Sequence, residues 1–214
     1  TAYGEVVLAA IGRVPNTDAD WFRSSGLKLD ERGYVTVDGY GRTNLDGVCA
    51  LGDIAPGHAL AHRAFEQGIT IAEKIAGADP KPVLDDTVPQ VVFSFPEAAS
   101  VGLTLDQAKA REDVVEPKET AYPMLSNARM LMSGEGGSMT VVSGAFANNP
   151  DMQVVLGVHI VSPIASDLIA EAEQLVGNRV PLADAARLIH PHPTFSETLG
   201  EALLKADGRP LHTR

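Results

Sequence analysis

The sequence predicts two architectures in succession: an α/β segment over residues 1–86, then an α+β domain over residues 87–214, an antiparallel sheet with flanking helices. Three observations predict it. Short Val- and Ala-rich runs alternate with helical patterns in the first part. The stretch "ADPKPVLDDTVP" from Ala78 supplies stiff backbone and few apolar side chains where the pattern changes. Beyond it strand-like runs prevail, with helices at one side.

Near the start, "GEVVLAAIG" reads as a buried strand, a short Val/Ala/Ile-rich run bounded by glycines. "NTDADWFRSSG" predicts a short helix with Asp18 as N-cap and Gly26 as its stop. "GYVTVDGYGRTN" reads as a strand running into a turn, and "GVCALGD" as an apolar strand ending in a Gly-Asp pair. In "LAHRAFEQGITIAEKIAG" apolar residues recur at helical spacing, and Gly77 closes the helix.

In the second part, "QVVFSFPEAASVG" gives two short strands, and "TLDQAKARE" opens on a capping box of Thr104 and Gln107. "DVVEPKETAYPM" is extended. "GSMTVVSGAF" and "MQVVLGVHIVS" predict adjacent antiparallel strands around "ANNPD", while "GEGG" at Gly134 reads as a flexible hairpin tip. "PIASDLIAEAEQLVG" is an amphipathic helix begun by Pro163, with Ile164, Leu168, Ala172 and Leu175 on one stripe. "PLADAARLI" and "SETLGEALLKA" predict two further short helices.

A composition of 44% hydrophobic and 21% charged residues provides a real core. The net charge of −11, with no cluster of Lys and Arg, argues against nucleic acid and anionic membranes as partners. No apolar run approaches the roughly 18 residues of a membrane helix. The single cysteine, Cys49, permits no intrachain disulfide, fits a cytoplasmic location, and reads as an inert core residue of its apolar run. The opening "TAYGEVVLAAIGR" has no initiator Met and no basic n-region, so the expectation is a piece of a longer chain without a signal peptide.

"HPHPTFSE", His190 to Glu197, is the densest concentration of chemistry. Histidine is the default proton acceptor near neutral pH, and a carboxylate fixes its tautomer and raises its basicity. If the chain turns at Pro193 and enters a helix near Ser196, Glu197 folds back toward His192. On the residues alone, the plainer reading is a helix-to-helix turn with Ser196 as N-cap and Glu197 favouring the helix N-terminus. Asp53 follows Gly52 at the end of an apolar run, where α/β folds place ligand-binding groups. The helix beginning near Leu60 offers free N–H groups to electron-rich atoms of a cofactor. A simple strand-end turn is the alternative there. His190 either lines the His192 pocket or stands by; His159 reads as structural, and His212 lies in a tail expected to fray. No histidines pair at i, i+4 on a helix and there is no cysteine cluster, so no metal site is expected.

Taken in order, "AIGRVPNT", "TNLDGVCALGDI…LAHRAFEQG", "VVFSFPEAASVGLT", "VLGVHIVSPIASDLI" and "HPHPTFSE" resemble the C-terminal portion of the flavin-dependent pyridine nucleotide–disulfide oxidoreductases. The resemblance covers nearly the whole chain, and the double histidine favours the dihydrolipoamide dehydrogenase branch. It implies that residues 1–86 are the end of an NAD domain and the returning segment of a FAD domain. Residues 87–214 would be the interface domain that builds a homodimer. The implied cofactors are FAD and NAD. Asp53 would bind the ribityl chain of FAD. Ala59, Leu60, Ala61 and His62 would approach the flavin, with His58 nearby, and Gly12 would lie at the edge of the NAD site. His192 would be the acid/base and Glu197 its partner in oxidising dihydrolipoamide, since thiolate rather than thiol attacks a disulfide. The implied partner protein is the lipoyl-bearing acyltransferase of a 2-oxo acid dehydrogenase complex.

The family's redox-active cysteine pair and its G-x-G-x-x-G turns do not occur here; "GYGRTN" has Asn44 where the third glycine would stand. The chain by itself is therefore expected to lack dehydrogenase activity and to purify colourless. Two alternatives stay open: a non-catalytic dimerisation module, and a divergent member acting on quinones or another disulfide, to which "NARMLMSGEGG" is suited.

Overall fold

A computed structural model describes residues 3–213 of the chain. The chain divides into two compact units, Thr1–Asp85 and Asp86–Arg214.

In the first unit the backbone is held largely by polar turns. Asp30 and Asp38 each begin the same Asp-x-x-Gly loop. The Asp30 carboxylate accepts the N–H groups of Arg32 and Tyr34, both at 2.9 Å, and Asp38 accepts those of Tyr40 and Arg42, also at 2.9 Å. Phe22, Val35 and Ala50 form a small core, with Leu27, Val37 and Ile54 packed on it. Helix α1 (Asp20–Ser24) buries Phe22. Its N-cap is Ala19, without a side-chain cap, one residue later than the expected Asp18. Helix α2 (Ala61–Ile75) follows its predicted span, and Gly77 past its C-cap adopts φ +88°. Arg63, 6% exposed, donates from Nε to Asp85 Oδ1 at 2.6 Å and from NH2 to the Pro56 carbonyl at 2.7 Å.

The strands expected in this unit do not form. "GEVVLAAIG" is unpaired among the described residues, and Val6, Val7, Leu8 and Ile11 are 85%, 91%, 87% and 97% exposed. Apolar composition signals a tendency to be buried, but a strand needs a neighbour to share its ladder, and none lies alongside. Pairing is confined to isolated bridges, Leu29 with Val35 and Arg42 with Cys49. Cys49 is exposed rather than buried, while its neighbour Ala50 is the residue of that run that packs on Phe22 and Val35.

The second unit is built on a five-stranded antiparallel sheet of order β1-β2-β5-β4-β3: β1 (Gln90–Val92), β2 (Glu97–Gly102), β3 (Val114–Pro123), β4 (Ser138–Phe146) and β5 (Asn149–Ser162). The long β4–β5 hairpin forms its centre, with Met139 opposite Ile160 and Val141 opposite Val158. Period-2 alternation sends neighbours to opposite faces. Val141 joins the main core and Val142 a second one with Leu103, Ala108, Val154 and Leu156. That second core lies under α3 (Leu105–Ala110), whose capping box is complete. The Gln107 N–H donates to Thr104 Oγ1 at 3.2 Å, and the Thr104 N–H donates to Gln107 Oε1 at 2.9 Å. Gly102, at φ +81°, faces Gly157 across the strands; a Cβ on either would strike the other strand's carbonyl, so both must be glycine.

The main core is covered by α5 (Ala165–Gly177), α6 (Leu182–Ala185) and α7 (Glu197–Ala206). The α5 stripe is wider than predicted, since Ala165, Ile169 and Val176 are buried beside Leu168, Ala172 and Leu175. An unpredicted helix, α4 (Ala128–Ser133), precedes β4. Gly134 is its left-handed C-cap, at φ +70°, rather than a hairpin tip. Among the described residues, no helix is long and apolar enough to cross a membrane.

Candidate active site

The residues from Leu188 to Glu197 join α6 to α7 in the second unit. Helix α7 starts at Glu197, so its carboxylate stands in the first turn, where the helix field favours negative charge. Ser196 is the N-cap residue, but its side chain makes no capping bond. Glu197 instead turns back and is held by two groups. Oε2 accepts the Thr194 N–H at 2.8 Å, and Oε1 lies 2.9 Å from His192 Nδ1. Partial burial raises the Glu197 carboxyl, but the Thr194 N–H, the His192 ring and the nearby His190 outweigh that effect and hold it below its ordinary range. Glu197 therefore meets His192 as a carboxylate. An acceptor at Nδ1 requires the proton there, which leaves Nε2 as the accepting nitrogen of a neutral ring. The His192 side chain is 68% exposed and that of Glu197 20%. The arrangement is a covered carboxylate orienting an imidazole that faces outward.

Two further anchors flank His192. On one side His190, with a side chain 9% exposed, places Nε2 2.8 Å from Glu171 Oε1 of α5. Glu171 raises the His190 pKa against the opposing effect of burial. The His190 ring lies against Gly200 of α7, where an added Cβ would meet Nδ1 at 2.6 Å. It lies in the same turn as His192 but holds a partner of its own. On the other side Asn127, the N-cap of α4, donates from Nδ2 to the Thr194 carbonyl at 3.1 Å. Arg129 of α4 lies over the Phe195 ring, 5.4 Å from its centroid. Neither Asn127 nor Glu171 carries a motif signal; the one local hint is that Asn127 is a capping residue type ahead of an apolar run.

The other histidines have plainer settings. His159 Nε2 is 3.2 Å from the Leu103 carbonyl. His212, in the tail expected to fray, is pinned by Glu201: Nδ1 lies 2.8 Å from Oε1, and the His212 N–H donates to Oε2 at 3.2 Å. Among the described residues, no group of three or more His, Cys, Asp or Glu is placed to hold a metal ion.

The proposed flavin-facing residues lie in the first unit. Asp53 sits in a 3-10 turn, Gly52–Ile54, and is exposed. That turn is fixed to α2: the Gly52 N–H donates to Gln67 Oε1 at 2.9 Å. Ala59 and Leu60 lead into α2, Ala61 is its first residue and His62 its second. Leu60 is the N-cap and makes no side-chain capping bond. Asp53 and the α2 N-terminus are therefore brought onto one assembly. Gly12 is exposed with φ +121°, and nothing lies within 4 Å of where its Cβ would be, so it stands apart from other groups of the unit.

Comparison with known proteins places both units in one family. Residues 88–203 match the "Pyridine nucleotide-disulphide oxidoreductase, dimerisation domain" family, and residues 2–68 match "Pyridine nucleotide-disulphide oxidoreductase". The dihydrolipoyl dehydrogenase of Cupriavidus necator is 40% identical over 208 residues, 96% of this chain and 42% of that protein. The dihydrolipoyl dehydrogenase of Geobacillus stearothermophilus is 39% identical over 99% of this chain and 44% of its own length. The crystal structure of LpdA from Mycobacterium tuberculosis superposes with a TM-score of 0.81 at 31% identity, covering 92% of this chain and 42% of that one. The chain thus spans less than half the length of the relatives it matches. The dimerisation-domain match takes in the sheet, its covering helices and the His192–Glu197 pair, and by that match the chain belongs to the pyridine nucleotide-disulphide oxidoreductase family.

Proposed function

We propose that this chain supplies the proton-transferring residues and the homodimer-forming domain of a cytoplasmic dihydrolipoamide dehydrogenase, with residues 1–86 contributing the end of its NAD domain and a returning segment of its FAD domain. The observation that carries the reading is the 2.9 Å contact between His192 Nδ1 and Glu197 Oε1. In the complete enzyme His192 Nε2 would take the proton from a thiol of dihydrolipoamide, and the resulting thiolate would attack the redox disulfide supplied by the part of the enzyme this chain does not span, releasing one of its sulfurs as a thiolate. Glu197 keeps the accepting tautomer in place beforehand and stabilises the imidazolium afterwards. The exposure of the ring suits a base that serves a substrate arriving from outside the chain, including a lipoyl group carried by an acyltransferase.

Asp53 would bind the ribityl hydroxyls of FAD, and Ala59, Leu60, Ala61 and His62 would present the α2 N-terminus to the isoalloxazine edge. Gly12 would line the NAD site. When bound, FAD would pass the reducing equivalents of the dithiol on to NAD.

His192→Gln in the polypeptide encoded by the complete reading frame tests the reading. Turnover of dihydrolipoamide with NAD should fall by about 10²–10⁴, the usual worth of a positioned acid/base. The dimer should survive, measured by size-exclusion chromatography with light scattering. A non-catalytic dimerisation module is the second reading, favoured by the closure of the second unit's sheet and core on themselves. It predicts turnover unchanged by His192→Gln.

A further inference from the structure

We infer that Asn127 is a positioning residue for His192, acting through Thr194 and Glu197; the inference rests on the reading of His192 as the base. The only hydrogen bond of the His192 ring among the described residues is the one to Glu197. The orientation of an exposed ring is then no better than that of its carboxylate. Glu197 Oε2 is fixed by the Thr194 N–H at 2.8 Å, so the question passes to what fixes Thr194. Its Oγ1 donates to the Pro191 carbonyl at 2.6 Å, a bond within the same turn that moves with it. The bond that ties the turn to the body of the unit at this point is made by Asn127, whose Nδ2 donates to the Thr194 carbonyl at 3.1 Å across 67 residues of sequence.

Asn127 is suited to this by burial and by its two-ended carboxamide. It is 4% exposed. Its Oδ1 accepts the Met130 N–H at 3.1 Å and caps α4, whose Met130 is fully buried in the main core. One end of the amide is thereby locked to a core-anchored helix while the other reaches the turn. Asparagine alone among the N-cap residue types supplies both functions here. Aspartate offers the cap acceptor but no donor for Thr194, and serine places its single hydroxyl one bond short of where Nδ2 stands. The relay runs from the α4 cap through Thr194 and Glu197 to His192, each step at 2.8–3.1 Å.

The capping role and the positioning role separate by substitution. Asn127→Asp keeps an acceptor for Met130 and has no donor for Thr194, while Asn127→Ser keeps an acceptor on a side chain one bond too short to stand where Nδ2 does. In the complete enzyme both should lower kcat for dihydrolipoamide oxidation about tenfold to a hundredfold, the scale of a misplaced catalytic group. KM should stay within about twofold and the dimer intact. In the 214-residue chain itself, the ¹⁵N shifts of the His192 ring should move away from the Nδ1–H tautomer in both variants. Asn127→Ala, which removes the cap as well, should add a loss of thermal stability that the other two do not show. Wild-type kcat and wild-type ring shifts in Asn127→Asp would overturn the inference and leave Asn127 as a helix cap only. His192→Gln run alongside separates the two readings: if it leaves turnover unchanged, the base fails, whereas the ring shifts still decide the relay.

Discussion

The two units hold their chains by different means. In Asp86–Arg214 every strand of the sheet has a ladder partner, and one continuous core runs from Ala99 to Ala206 beneath α5, α6 and α7. In Thr1–Asp85 the core is Phe22, Val35 and Ala50, and much of the remaining order comes from the Asp30 and Asp38 loops and the Arg63–Asp85 pair. The proposed catalytic pair sits on the first kind of scaffold. The proposed flavin-facing residues sit on the second, where short polar turns and one helix end carry the geometry. A group that must be held at fixed distance from its partner, such as Glu197, is supported by a helix packed on a sheet. Groups that present backbone N–H and a carboxylate to a ligand need less burial beneath them.

The contrast is broken most forcefully in the large core. Leu203 of α7 is fully buried within it. Leu203→Ala should destabilise the second unit by about 2–5 kcal/mol, because transfer energy is lost and a cavity remains. Hydrogen exchange followed by mass spectrometry should show the loss of protection in β3, β4 and α7, with residues 15–77 unchanged. Equal loss in both units would mean that their stabilities are coupled and that the division is one of shape only.

How far the sequence discloses such scaffolds depends on the distance over which each signal acts. The Thr104–Gln107 box is legible because both halves lie within one turn. The α5 stripe is legible because thirteen residues give the helical period room to repeat. His192 and Glu197 are five residues apart, close enough for a turn to be imagined that joins them. Asn127 and Thr194 are 67 residues apart, and Glu171 and His190 are 19 apart; nothing in residue type or spacing announces those contacts. Helix α4 was hidden by its length, since six residues show no period, and a glycine after them marks a hairpin tip as readily as a helix end. The apolar run at Val6–Ile11 shows the opposite limit: its composition reports a preference for burial without naming a partner.

The His190–Glu171 pair sharpens the comparison at a smaller scale, because it makes the second unit sensitive to pH. The folded-state pKa of His190 is raised above its ordinary 6.5 by Glu171. The stabilisation from the charged pair is therefore fully present below 6.5 and is lost as pH rises through the raised value. Thermal unfolding of the second unit should shift down as pH rises from 6.5 through that raised value. His190→Gln should flatten that slope. The Glu197 pKa is depressed, so its contribution behaves oppositely: it is present above its ordinary 4.5 and lost as pH falls through the lowered value. A slope that persists unchanged in His190→Gln would show that the His190–Glu171 pair is not its source.

The smallest expected effect tests whether the large core tolerates an unpaired polar atom. Tyr122 of β3 is fully buried, and among the described residues its hydroxyl has no hydrogen-bond partner. Burial pushes its pKa up to about 12, with the charges of Glu201 and Glu197 adding to the rise. The ring packs in the main core under α7, and a buried oxygen without a protein partner carries a desolvation cost. Tyr122→Phe keeps the ring and removes that cost, so stability should rise by about 1 kcal/mol, read as a higher denaturation midpoint at unchanged m-value. The base pair should be untouched, because neither His192 nor Glu197 bonds to the hydroxyl. A fall in stability of the same size would instead show that an internal water satisfies the oxygen, and the core beneath the catalytic helix would then be wet at that point.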